Sequence, residues 1–229
     1  MKKIVTLLAV LILLALPACQ APAQVVETAA PSGDTYPLET PTEITYPVEE
    51  PTEAPASDAQ VTIDYARNFT LEYKEGYKLL TVLMPWAGAT EPIRYALVPK
   101  GQADPSGIDD ALIVHTPVES FVSLSTTYLP FLEQIDELSS LVAVDSGAYI
   151  YNAEVQNWLK AGAVAEVGSG AVINIESLID LNPDLIMTSA SGFAEYDSHP
   201  QLLEAGLKVV INSDYLEQDP LGRAEWGKF

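Results

Sequence analysis

Apolar and polar positions divide the chain into three stretches of different period. Ile4 to Leu16 is an apolar run of thirteen residues behind Lys2 and Lys3. It is shorter than the roughly 20 residues a membrane span needs and has the length of a signal-peptide core. Residues 20–60 show neither helical nor strand periodicity. They are rich in Pro, Thr and Ala, and the segment from Thr35 (TYPLETPTE) is nearly repeated from Thr45 (TYPVEEPTE). Such a stretch cannot bury enough apolar surface to offset its ordering entropy, so it predicts an extended, semi-rigid spacer. Folded sequence is expected from Val61.

Within that third stretch the period changes once more. Phe69 to Tyr73 and Tyr77 to Leu83 flank Lys74-Glu75-Gly76 and predict a hairpin. Ile93 to Val98 predicts a third strand, and Met84-Pro85-Trp86 a turn whose tryptophan packs into the core. From Ser120 onward strands alternate with helices. Predicted strands are Phe121–Leu124, Leu141–Val144, Leu185–Met187 and Lys208–Ile211. Between them, Tyr128, Phe131, Leu132, Ile135 and Leu138 have helical spacing behind a Thr127 cap. Further helices are expected over Asn152–Ala161, behind Asn174, and over Pro200–Ala205 with Ser198 as cap. This alternation implies an α/β fold: a Rossmann-like parallel-sheet lobe with helices on both faces, preceded by the hairpin as an N-terminal extension. Ligands of such sheets sit beyond the carboxyl ends of the strands, here Ser125–Thr127, Asp145–Tyr151, Ser189–Gly192 and Asn212–Tyr215.

Composition and chemistry narrow the picture. Leu16-Pro17-Ala18-Cys19 matches the bacterial lipobox, and Cys19 is the sole cysteine. Cys19 is therefore expected to be lipidated, with residues 1–19 a lipoprotein signal peptide; the alternative is an ordinary secretory signal. A lipid anchor on the outer face of the cell membrane follows. The net charge is −21, and from Val61 onward 24 acidic side chains face 9 basic ones. Nucleic acid, a polyanion, is excluded as a partner. No G-x-S-x-G elbow, H-E-x-x-H, Walker loop or C-x-x-C is present. Gly168-Ser169-Gly170 lacks the third glycine of a dinucleotide loop. His115 and His199 stand in separate segments, so no metal cluster, no catalytic group and no cofactor is expected. Asp219-Pro220 predicts a last helix whose Trp226 and Phe229 need a packing partner; its lack of a C-cap suggests a truncated chain.

Three segments together carry a resemblance. Residues 117–146 (PVESFVSLSTTYLPFLEQIDELSSLVAVDS), 167–185 (VGSGAVINIESLIDLNPDL) and 209–229 (VVINSDYLEQDPLGRAEWGKF) resemble ABC importer substrate-binding lipoproteins of the ferric-siderophore, haem and cobalamin family. Residues 73–89 (YKEGYKLLTVLMPWAGA) are similar to an N-terminal extension of one iron-type branch. The resemblance implies an amino-terminal lobe over residues 61–217, the start of an interlobe helix at 218–229, and a second lobe beyond it. It implies a small-molecule ligand held between lobes and passed to a transmembrane permease with a cytoplasmic ATPase. Glu176 matches the carboxylate that docks on the permease, although a first-turn helix position favours a carboxylate anyway.

Ligand contacts are expected from Ser125, Thr126, Thr127, Tyr149, Tyr151, Ser189, Ser191, Asp214 and Tyr215; each is also an ordinary turn or capping residue. The tryptophan that cobalamin-type relatives carry before the 167–185 motif is replaced by Gly170-Ala171-Val172. No arginine cluster stands at the expected rim, as a catecholate complex would require. Two other classes stay open, a one-lobe sensory or adhesive surface lipoprotein and an α/β hydrolytic enzyme.

Overall fold

Alternating burial along β1 (Phe69–Lys74) is the pattern of a strand with one face against a core, and a computed structural model of the chain, describing residues 60–229, shows that core. The leader, Cys19 and the acidic repeats lie outside the described residues. β1 pairs antiparallel with β2 (Tyr77–Val82), and β2 with β3 (Ile93–Pro99). The predicted hairpin is thus present, inside a larger sheet. A fourth strand, β4 (Ala111–Thr116), runs parallel to β3 and was not anticipated. Its ALIVHT run, bounded by Asp110 and Pro117, is too short to separate from loop by period alone.

The second sheet is wholly parallel, in the order β7 (Ala165–Glu166), β6 (Leu141–Val144), β5 (Phe121–Ser123), β8 (Leu185–Thr188), β9 (Val209–Ile211). The two-residue β7 gave no sequence signal. β5 is buried at all three positions, as expected where helices cover both faces of a parallel strand. On one face α1 (Leu129–Gln134) and α2 (Ala153–Ala161) bury Leu129 and Val155 together with Phe121, Leu141, Leu185 and the first sheet's Phe69, Val82 and Tyr95. On the other, α3 (Ile175–Leu181) and α4 (His199–Glu204) bring Leu178 and Leu202 onto Val122, Ile186 and Ile211. The α/β lobe read from the sequence is the fold. Tyr95 joins the two sheets: its hydroxyl accepts a 2.9 Å hydrogen bond from the Ile211 amide, satisfying edge strand β9.

Several local expectations are corrected. The helix expected through Leu138 ends at Gln134, because Asp136 turns left-handed at φ 58° and Ile135 is left in solvent. Its entry is capped by Ser125, whose Oγ accepts from the Thr127 amide, and not by Thr127. Ser198 is buried but makes no side-chain cap to α4. Asn152, Asn174 and Asp219 do cap, accepting the first-turn amides of α2, α3 and α5 (Pro220–Glu225).

The packing partner that Trp226 and Phe229 need is Phe69 of the first sheet. The Trp226 indole lies 4.7 Å from the Phe69 ring and 4.9 Å from that of Phe229. Two carboxylates fasten this corner. Glu225 accepts from the amides of Asp64 (2.9 Å), Tyr65 (2.6 Å) and Ala66 (2.7 Å), and Glu217 from those of Arg67 and Asn68 (2.9 Å each) and from Trp226 Nε1 at 3.1 Å.

Candidate functional site

Chain order along the parallel sheet reverses between β5 and β8. The segments leaving these two strands diverge to opposite faces, and a crevice opens at their carboxyl ends. A cavity of about 600 Å³ occupies that place. Leu124 from the tip of β5 and Thr188, Ser189, Ala190 and Ser191 from the tip of β8 form its floor; Tyr215, from the turn after β9, closes one side. Tyr215 donates from its hydroxyl to the Ala190 carbonyl at 2.7 Å, which ties the turn after β9 to the end of β8, and its partial burial raises the phenol pKa.

The opposite wall is the loop 189–198, held by one buried side chain. Asp197 accepts from the amide of Ser191 (2.7 Å), its hydroxyl (2.8 Å) and the amide of Gly192 (2.8 Å). That leaves Glu195 and Tyr196 along the mouth, with the Phe193 ring edge-on to Tyr196 at 6.5 Å; Phe193 is 62 % and Tyr196 69 % exposed. Exposed aromatic rings beside a cavity offer faces on which a ligand can stack. Gly192 lies at φ 84° against Trp86, where a Cβ would come within 2.5 Å of the indole. The first sheet's Met84-Pro85-Trp86 turn therefore buttresses the loop. It is itself pinned by Ser213, whose hydroxyl donates to the Pro85 carbonyl at 2.7 Å. Beside Trp86 lies the His199 ring, tilted at 5.7 Å, its Nδ1 buried without a partner among the described residues; burial lowers its pKa.

Gly192→Ala is expected to cost roughly 1–3 kcal/mol, combining left-handed strain with overpacking on Trp86. Thermal melting with tryptophan emission checks it: an unchanged midpoint and spectrum would mean that the loop does not depend on this contact.

Of the residues expected from sequence, Ser189, Ser191 and Tyr215 meet in this cavity. Ser125 and Thr127 instead hydrogen-bond each other at 2.8 Å, and Thr126 lines a separate open hollow with Pro130, Ile150 and Asn152. Tyr149 and Tyr151 stand in solvent at 73 % and 92 % exposure. Asp214 sits in the turn after β9, its amide held by Asn212 Oδ1 at 3.0 Å. Glu176 is exposed in the first turn of α3. Asp145, after β6, is half-buried, which pushes its carboxyl up.

Sequence reasoning missed Ser169, Gly170, Glu195 and Tyr196. Gly168-Ser169-Gly170 reads from sequence as an imperfect dinucleotide loop. Its actual use is proximity, since a Cβ on Gly170 would stand 3.1 Å from the Tyr196 carbonyl.

No family model matches the chain. An uncharacterised lipoprotein of Methanocaldococcus jannaschii is 27% identical over 129 residues, 52% of this chain and 30% of that protein. The crystal structure of the periplasmic vitamin B12 binding protein of Vibrio cholerae is similar over 49% of this chain and 46% of its own, with 20% identity and a TM-score of 0.31. The chain spans less than half the length of either protein.

Proposed function

We propose that this chain is the solute-capturing component of an ABC importer, held at the outer face of the membrane by lipid on Cys19 and an acidic spacer over residues 20–60. In this reading residues 61–217 are its amino-terminal lobe, and residues 218–229 begin the helix that leads to a second one. One observation carries the reading: an open cavity lies at the carboxyl-edge switch point of a parallel sheet and is flanked by exposed aromatic rings. Its lining is hydroxyl-rich: Ser169, Ser189 and Tyr196 offer hydrogen bonds to an oxygen- or nitrogen-rich ligand, while the hydroxyls of Thr188, Ser191 and Tyr215 already donate to the Ser189 carbonyl, Asp197 and the Ala190 carbonyl. An iron chelate, haem or a corrinoid fits that description. Ser125, whose hydroxyl is occupied by Thr127 and the Thr127 amide, is a turn residue in this reading and not a nucleophile.

Tyr196 is the first residue to test. Tyr196→Ala is expected to weaken capture of a corrinoid or ferric hydroxamate by about tenfold, the loss of one aromatic contact. Its melting temperature stays within about 1–2 °C of the parent, because the ring is exposed. Unchanged affinity in equilibrium dialysis would remove the cavity from the capture role. Glu176 serves docking: its carboxylate is exposed in the first turn of α3, the helix that follows the segment carrying the lining residues Ser169 and Gly170. Glu176→Lys is expected to leave ligand capture intact and to slow delivery to the permease several-fold, as a rim charge affects encounter and register. Uptake into cells carrying the variant checks this, and a normal rate would assign Glu176 to helix stabilisation alone.

A further inference from the structure

Granted that the cavity at the β5–β8 switch point is a ligand site, as proposed above, we infer that its ligand carries no net negative charge and presents a broad apolar or aromatic face: a neutral or cationic macrocycle or chelate. The cavity wall contains hydroxyls, two tyrosine rings and the carboxylates of Glu195 and Asp197, and no Lys or Arg. Asp197 is spent on the loop, but Glu195 is exposed and stands at the mouth.

None of the nine basic side chains of the described residues lines the cavity, and most are held elsewhere; Lys78 lies over the Tyr73 ring and Arg67 stands beside the first sheet. Lys74 pairs with Glu72, Arg94 with Asp110, Lys100 with Glu119 and Asp184, and Lys228 with Glu225. Lys160 lies in the last turn of α2, and Lys208 precedes β9 at the amino edge of the sheet. Arg223 reaches the correct edge, but its guanidinium donates backwards to the carbonyls of Asp214 and Tyr215, at 3.3 and 2.9 Å, and so braces the turn after β9.

Acidic groups crowd the same edge: Asp145 after β6, Glu166 at the end of β7, Glu195 at the mouth and Asp214 after β9. An anion entering this crevice loses water without gaining a charged donor, and does so in a field of its own sign. A cation gains the Glu195 carboxylate and the faces of Tyr196 and Tyr215, while a neutral ligand gains stacking and hydroxyl contacts.

The test is equilibrium dialysis of the whole chain against four coloured probes of different charge: cyanocobalamin, a cationic ferric trihydroxamate, a trianionic ferric tris-catecholate and haem with its two propionates. The neutral corrinoid and the cationic hydroxamate are expected to be retained at least about tenfold better than either anion. Raising salt from about 0.05 to about 0.5 M weakens the cationic probe selectively. Glu195→Lys narrows the gap by improving the anions.

Retention of the catecholate or haem as well as the other two, with no response to Glu195→Lys, overturns the charge inference and leaves the capture reading standing. Retention of none of the four overturns the capture reading itself, and the charge inference with it.

Discussion

Glu225→Gln lowers the melting temperature of this chain by about 6–12 °C, equivalent to roughly 3 kcal/mol in a domain of this size. Glu225 is 6 % exposed, and its carboxylate fills a concave run of three consecutive amides, Asp64, Tyr65 and Ala66, while the Lys228 ammonium closes the far side at 2.7 Å. Burial by itself raises the carboxyl pKa, but the three amides and Lys228 outweigh it and hold the group at about 2. A neutral amide cannot answer three converging donors and leaves part of the nest unsatisfied.

The pH dependence follows from the direction of that shift. The unfolded chain binds this proton near the ordinary value of 4.5 and the folded chain only near 2. The stability contributed by Glu225 is therefore complete above about 4.5 and is lost as pH falls through about 2. The difference between the parent and the non-titrating Gln variant should shrink over the same window. Thermal melts by circular dichroism at neutral pH and near pH 3 check both points. A drop below about 2 °C at neutral pH would show that the nest is satisfied by other means.

Trp226→Ala is the second large effect, at about 3–5 kcal/mol. The indole is 2 % exposed, packs edge-on to Phe69, lies at 32° to Phe229, and donates to Glu217. Truncation opens a cavity beneath the first sheet and removes one of the donors to Glu217, whose other partners are the amides of Arg67 and Asn68. Trp226→Phe should recover most of the packing but not the hydrogen bond, leaving about 1–2 kcal/mol. Urea midpoints distinguish these values. Because Glu225 and Trp226 brace the same 64–69 segment, the double variant should lose less than the sum of the two, and strict additivity would mean that they act on separate parts of the fold.

Local chemistry made much of the second sheet readable. β6 agrees to the residue with the expected strand, and α2 and α3 begin behind the asparagines that cap them. The misses have local causes as well. ALIVHT is short and flanked by acids, Ala165–Glu166 is two residues long, and the left-handed Asp136 halts a helix whose apolar spacing continues past it. Of the candidate ligand contacts, Ser189 and Ser191 after β8 and Tyr215 after β9 converge, whereas Tyr149 and Tyr151, which follow β6, project into solvent. Being near a strand end does not place a side chain in the crevice, which forms only at the switch point.

Periodicity, caps and turn residues are interactions over a few positions, so the sequence alone determined the alternation of strand and helix and the parallel sheet it implies. The tertiary structure decided what lies far apart along the chain. It set the crevice between β5 and β8, Trp86 against Gly192, and the seat of Glu225 on amides 159 to 161 residues away. In a chain with 32 acidic residues nothing local marks one glutamate as a buried clamp. Its role exists only once folding has carried three amides to it and excluded water from around them.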